Sequence, residues 1–105
     1  MKMIRAIIRP EKEEEVVKSL EDAGFPSVTK MDVLGRGKQK GIQVGTAVYD
    51  ELAKTMVMVV VEDASLEKVT AAISQAAKTG NYGDGKMFVT PVESAVTIRT
   101  GKSAV

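Results

Sequence analysis

The chain has no cysteine, no histidine and no tryptophan. Without cysteine there is no disulfide framework, no thiolate nucleophile and no thiolate metal ligand. That composition fits a reducing compartment, and the cytoplasm is the expected location. Without histidine, the chain also lacks the second common zinc ligand and the group that usually moves protons near neutral pH. Most hydrolytic and metalloenzyme templates are thereby excluded. Aromatic residues are scarce, two Tyr and two Phe, so a base-stacking sheet of the RNA-binding kind has little to build on. The formal net charge is +1, so no global field draws the chain to nucleic acid or an anionic membrane. No apolar run approaches the ~20 residues of a membrane span. The opening Met1-Lys-Met-Ile-Arg-Ala-Ile-Ile-Arg9 carries charges inside its apolar run and does not read as a signal peptide.

What is present describes one domain. The chain has 105 residues, 44% of them apolar and 28% charged, an ordinary globular balance. Met3 to Arg9 reads as a strand. Pro10 suits the first turn of a helix, and Glu11, Glu13, Glu14 and Glu15 favour the positive end of its dipole. Val16, Val17, Leu20 and Ala23 recur at helical spacing, and Gly24 fits a C-cap with Pro26 just beyond. Val28 to Leu34 is a second strand. From Gly35 to about Lys54 strong periodicity is lost, and a loop of that length in a small domain is usually functional. Thr55-Met-Val-Met-Val-Val-Val61 is a β-branched run without alternation, as a central covered strand requires. Ser65 is a plausible N-cap for a second helix with Leu66, Val69, Ile73, Ala76 and Ala77 inside, ending near Thr79-Gly80. Met87 to Val89 and Ala95 to Ile98 are the last expected strands.

The order is β-α-β, long loop, β-α-β. It predicts an α+β fold of the ferredoxin-like βαββαβ plan, an antiparallel sheet with both helices on one face. The third strand has too few polar positions to face water on its other side. Oligomerisation through that sheet face is the expected remedy.

Three segments combine glycine with cations. Gly80-Asn-Tyr-Gly-Asp-Gly-Lys-Met87 meets the G-x-x-x-x-G-K part of a P-loop, but Met87 stands where a Ser or Thr should help hold magnesium. It also follows a helix and enters a strand, the reverse of a P-loop, where the phosphate faces a helix N-terminus. A glycine turn and an anion nest of N–H groups around Gly83 and Gly85, with Lys86 adding charge, fit the residues equally well. Leu34-Gly-Arg-Gly-Lys-Gln-Lys-Gly41 reads as a solvated basic loop tip or a second anion-binding segment. Arg99, in Ile98-Arg-Thr-Gly-Lys102, could clamp a phosphate bidentately. Lys54 has water as its default partner. All three glycine segments fall at ends of expected strands, where a sheet can position loops.

Four of these stretches, in order, resemble the PII signal-transduction family over essentially the whole chain. Met1-Lys-Met-Ile-Arg-Ala-Ile-Ile-Arg-Pro10 is similar to that family's opening "MKxIxAIIKP". Gly35-Arg-Gly-Lys-Gln-Lys-Gly41 resembles the lead into its T-loop, here about 37–54. Thr79-Gly-Asn-Tyr-Gly-Asp-Gly-Lys-Met-Phe88 matches its B-loop "TGxxGDGKIF", here 79–87. Arg99-Thr-Gly101 matches its C-loop, here 97–105. The resemblance implies a trimer with ATP or ADP in the clefts between subunits, and 2-oxoglutarate bound together with Mg2+ and ATP. It implies that Gly83, Asp84, Gly85 and Lys86 cradle the phosphates, with Arg99 as a second cation. Gly35, Gly37 and Lys38 would line the cleft from the neighbouring subunit. Thr29, Met58 and Val60 would sit by the adenine. Gln39 would complete the magnesium site and Lys54 would pair with a 2-oxoglutarate carboxylate. Lys40, Gly41, Val44 and Tyr49 would belong to the loop that meets a partner protein.

The departures from the family pattern are specific. Ile42-Gln-Val-Gly-Thr-Ala-Val-Tyr-Asp-Glu51 lacks the family's "YRGAEY", so uridylylation of Tyr49 is not implied. Thr97 stands two residues before Arg99, where many members carry another Arg, so one phosphate contact is either lost or supplied otherwise, with Lys102 the candidate substitute. Lys38 replaces an Arg and loses its fork. The loop resembles that of the nitrogen-fixation branch of the family, first subunit type, whose members act in pairs on nitrogenase. The expected role is therefore a non-catalytic sensor, a homotrimer or a hetero-oligomer with a sister PII subunit, controlling a partner, nitrogenase, through the T-loop. The alternatives are a small ATP- or acyl-phosphate-hydrolysing ferredoxin-like enzyme, with Asp84 the best carboxylate, and an RNA-binding sheet with Phe88 near an aromatic position.

Overall fold

The first strand alternates. Ile4, Ala6 and Ile8 of β1 (Lys2–Ile8) are buried, and Met3, Arg5 and Ile7 between them are half-exposed. Period-two burial of this kind makes one face a core and leaves the other free. In the computed structural model, which describes residues 1–36, 42–44, 47–49 and 51–104, the same rule holds for β5 (Leu52–Val61). Its Thr55, Val57, Val59 and Val61 point into the core. Between β1 and β5 in sequence lie α1 (Glu13–Asp22), β2 (Thr29–Gly35), β3 (Ile42–Val44) and β4 (Ala47–Tyr49). After β5 come α2 (Leu66–Ala77) and β6 (Lys86–Pro91).

Four strands pair antiparallel in the order β2-β5-β1-β6. With the helix after β1 and the helix after β5, this is the ferredoxin-like βαββαβ arrangement. Val16 and Leu20 of α1 join Val69, Ile73 and Ala77 of α2 in one buried cluster with the inner residues of β1 and β5. Both helices therefore cover the same face. Leu20 is fully buried at the centre of this layer. Leu20→Ala should cost about 3 kcal/mol of unfolding free energy, read by denaturant titration.

Helix α1 ends as its sequence asks. Gly24 takes a φ of 97°, Phe25 N–H donates to Leu20 O at 2.8 Å, and Gly24 N–H donates to Glu21 O at 2.9 Å. That pair of bonds is a Schellman cap, and Phe25 packs against the core over it.

Other expectations change. The strand expected from Thr55 starts at Leu52. Lys54 pairs across to Val33 there, and its charge masked the strand in the sequence. The stretch expected to be a structureless loop contains a two-stranded hairpin, β3 with β4. Ser65 precedes α2 but its side chain caps nothing, because a 3-10 turn over Asp63–Ser65 already leads in. The helix stops at Ala77 rather than near Gly80. No strand forms over 95–98; only an isolated bridge joins Val96 to Ser103. Ala95 accepts from Ala104 N–H, and Thr97 N–H donates to Lys102 O. The chain turns back on itself there instead of extending the sheet.

The sheet face away from the helices carries Met31, Met56, Met58, Val60 and Phe88, by register with Met3, Arg5 and Ile7. Met31 is 41% exposed and Phe88 53%. The apolar second face expected from the sequence is therefore open on the single chain.

Candidate functional site

Between α2 and β6 the chain must turn back and reach the end of β1 in eight residues, Lys78 to Gly85. Lys86, the first residue of β6, pairs with Ile7. The turn passes so close to β1 that a Cβ on Gly85 would stand 1.7 Å from the carbonyl oxygen of Ile7. Gly85 also holds a φ of 102°. Both facts demand glycine.

Asp84 shapes the rest of the loop from within. Its carboxylate accepts the N–H of Thr79 at 2.8 Å, the N–H of Gly80 at 2.8 Å and the hydroxyl of Thr79. The Nε of Arg9 donates to it as well, at 3.2 Å. The Thr79 hydroxyl first, then the Thr79 backbone N–H, hold this carboxyl well below the usual carboxylate range. Arg9 then reaches on, its Nη2 donating to the carbonyl of Tyr82 at 2.6 Å. Lys54 completes the arrangement from β5, donating from Nζ to the carbonyl of Gly83 at 2.7 Å. Burial first, then the Arg9 charge, lower the Lys54 ammonium below its usual 10.5.

Among the described residues nothing accepts from the N–H groups of Gly83, Asp84 or Gly85. Glycines with positive φ on either side of Asp84 give the alternating backbone from which anion nests are made. A hollow of about 190 Å³ adjoins the loop, with Asp84, Gly85 and Lys86 on its rim. A larger one, about 380 Å³, lies between α1 and β2, but Glu13, Glu14, Glu21 and Asp22 line it and do not suit an anion.

The residues expected from the sequence fall into three places. Gly83, Asp84, Gly85, Lys86, Lys54 and Gly35 lie together. A Cβ on Gly35 would stand 3.3 Å from the Lys54 Cγ. Gly35 therefore flanks the glycine loop of its own chain, because β2 pairs with β5 and sets it opposite Leu52. Lys54, expected in water, donates to the Gly83 carbonyl of the loop. Thr29 lies at the far end of β2, paired with Met58, and Val60 lies opposite Met3, two pairs beyond the Arg5–Met58 pair. Thr29 is six residues, or ~20 Å along the strand, from Gly35. Arg99 stands in the exposed turn closed by Gly101 N–H to Thr97 O at 2.7 Å. Within one chain neither group is brought to the loop by any contact among the described residues. Gly37, Lys38, Gln39, Lys40 and Gly41 lie outside the described residues. Val44 ends β3 and Tyr49 ends β4.

Arg9 escaped the sequence reading. It touches the loop at three points, yet 75 residues separate it from Asp84. The available signal was a cation at the end of a strand just before Pro10, facing a glycine loop that carries its own carboxylate. The hydrolase alternative loses its base here. Asp84 is fully engaged in hydrogen bonds and too acidic to take a proton from water.

Fold and loop together define a ferredoxin-like domain with a glycine loop braced by two cations at the end of its sheet. The sequence model for the family described as nitrogen regulatory protein P-II matches residues 1–102, and the chain belongs to that family. It is 61% identical over 100 residues, 95% of each chain, to the "Nitrogen fixation nifHD region GlnB-like protein 1" of Methanothermobacter marburgensis. It is 57% identical over the full length of both chains to the "Nitrogen fixation nifHD2 region GlnB-like protein 1" of Methanosarcina barkeri. To the "Nitrogen regulatory protein P-II" of Azospirillum brasilense it is 46% identical, covering 97% of this chain and 95% of the other. The chain is thus a nitrogen-regulatory signalling protein and not an enzyme. Among the described residues no helix is long and apolar enough to cross a membrane.

Proposed function

We propose that this chain senses adenine nucleotide and 2-oxoglutarate, and that the segment from about Gly37 to Lys54 carries the result to a partner protein. The observation that carries this reading is the braced glycine loop, with three N–H groups that find no acceptor among the described residues and two cations behind them. A polyphosphate needs such donors and charges. Gly83, Asp84, Gly85 and Lys86 take the phosphates. Thr29, Met58 and Val60 form the adenine wall, and Arg99 the second phosphate cation. Thr29, Met58 and Val60 lie far along the sheet from the loop of the same chain, which favours a cleft shared between two copies. The open apolar sheet face supports a trimer, either of this chain or with a sister subunit.

The donor set fits a nucleotide phosphate. It offers no cluster of three carboxylates for magnesium among the described residues, so Mg2+ takes its oxygens chiefly from the phosphates, with Gln39 added. Lys54, beside the loop and lowered in pKa, suits a metabolite carboxylate. The relatives named for a nitrogen-fixation region favour nitrogenase as the partner, met by Lys40, Gly41, Val44 and Tyr49.

Calorimetric titration tests this directly. 2-Oxoglutarate should bind in the presence of Mg2+ and ATP and not in their absence. Lys54→Met should abolish 2-oxoglutarate binding even at ATP concentrations that saturate the nucleotide site, and should weaken ATP binding itself by far less. Affinity for 2-oxoglutarate should fall as pH rises through the lowered Lys54 value, because the ammonium is charged only below it. Failure of the native chain to bind any nucleotide would sink the sensor reading.

A further inference from the structure

Two carbonyls of the glycine loop end on cations. Tyr82 O accepts from Arg9 Nη2 at 2.6 Å and Gly83 O accepts from Lys54 Nζ at 2.7 Å. Every described peptide bond is trans. In a trans peptide the carbonyl and the following N–H point in opposite directions. The Gly83 N–H therefore points away from Arg9, and the Asp84 N–H points away from Lys54. These are two of the three N–H groups without an acceptor among the described residues.

Arg9 holds this arrangement at three points. Its Nη2 fixes the Tyr82 carbonyl, its Nε bonds to the Asp84 carboxylate at 3.2 Å, and its guanidinium lies where a side chain on Gly83 would stand, 3.0 Å from such a Cβ. A planar fork can fix two acceptors at a set angle, which a single ammonium cannot. A cation on the carbonyl also polarises its peptide and strengthens the opposite N–H as a donor.

We infer that Arg9 is a positioning residue for the phosphate loop: it turns the Gly83 and Asp84 N–H groups outward toward the ligand and does not touch the phosphates itself. This rests on the nucleotide reading above. Arg9 works from behind the loop, on the side opposite the nest. Its charge adds to the field, but its main effect passes through the Tyr82 and Asp84 contacts.

The test compares the native chain with Arg9→Met and Arg9→Lys, using Arg9→Gln if the methionine variant fails to fold. Amide spectra of the ligand-free proteins come first. Arg9→Met should move the Gly83 and Asp84 amides and speed their exchange, and leave the core amides of β1 and β5 in place. Mg-ATP titration comes second. Arg9→Met should weaken binding about tenfold or more, and Arg9→Lys should recover only part of that loss, because one ammonium reaches one acceptor where the fork holds two. A double-variant cycle with Asp84→Asn comes third. If Arg9 acts through the loop, the double variant binds no worse than the weaker single one. Additive losses would make Arg9 a direct phosphate ligand and overturn the inference. Unchanged Gly83 and Asp84 amides in Arg9→Met would overturn it as well. If the native chain binds no nucleotide, the sensor reading fails, and the ligand-free amides still decide whether Arg9 orders the loop.

Discussion

Gly85→Ala should destabilise the chain by roughly 3–5 kcal/mol and abolish nucleotide binding. The added methyl carbon would stand 1.7 Å from Ile7 O and 2.8 Å from Ile7 C. Those are backbone atoms of β1, the strand paired on both sides in the sheet. No rotamer relieves such a clash, so either the loop lifts off β1 or β1 shifts inside the core. The φ of 102° adds strain for any L side chain. Gly80→Ala is the internal control. Its φ is 88°, but no heavy atom lies within 4 Å of the added carbon. It should cost only about 1–2 kcal/mol, the left-handed term alone. Denaturant unfolding of the two variants separates contact from strain. Equal costs would mean that the loop yields freely at Gly85 and that its approach to β1 matters little.

The contrast between those glycines also shows how far the sequence could be read. The spacing of glycines in Gly80-Asn-Tyr-Gly-Asp-Gly-Lys86 marked a special loop, but spacing says nothing of which glycine meets a carbonyl. That depends on the β1–β6 register, which sets Lys86 opposite Ile7. Elements governed by local periodicity were legible. Ile4, Ala6 and Ile8, the Val16–Leu20 face and the Val69–Ile73–Ala77 face lie in the core as their spacing requires. Elements that depend on distant partners were not. Leu52 to Lys54 extend β5 because β2 pairs with them, with Gly35 opposite Leu52 and Val33 opposite Lys54. Ala95 to Ile98 read as a strand by composition, yet no sheet edge takes them up and Ile98 is 99% exposed. Family likeness supplied Gly83 to Lys86 as ligands and Gly35 as a neighbour's contribution. Register adds that Gly35 stands opposite Leu52, beside Lys54 of its own chain. Arg9 was invisible because its meaning lies wholly in two partners at the other end of the chain.

Asp84→Asn should weaken Mg-ATP binding on the order of a hundredfold while leaving the sheet intact. The carboxylate holds four donors: two backbone N–H groups, the Thr79 hydroxyl and the Arg9 guanidinium. An amide has one acceptor oxygen, and its NH2 must then face another donor. Either the Thr79–Gly80 turn or the Arg9 brace is lost. Since both shape the nest, the phosphates lose preorganised N–H groups. The pH behaviour follows from the lowered carboxyl pKa. A carboxyl lowered by folding stabilises the native loop at every pH above its unfolded value of about 3.9, and that support fades only as pH falls through the lower folded value. Between about pH 5 and 8 the loop should therefore show no titration from Asp84. Amide exchange of Thr79 and Gly80 checks this: their protection should be flat across that range in the native chain and gone in Asp84→Asn. Magnesium distinguishes a second possibility. If Asp84 were itself a metal ligand, Asp84→Asn would weaken Mg-ATP far more than metal-free ATP. A loop-shaping carboxylate predicts equal losses for both, because the nest grips the phosphates whether or not they carry a cation.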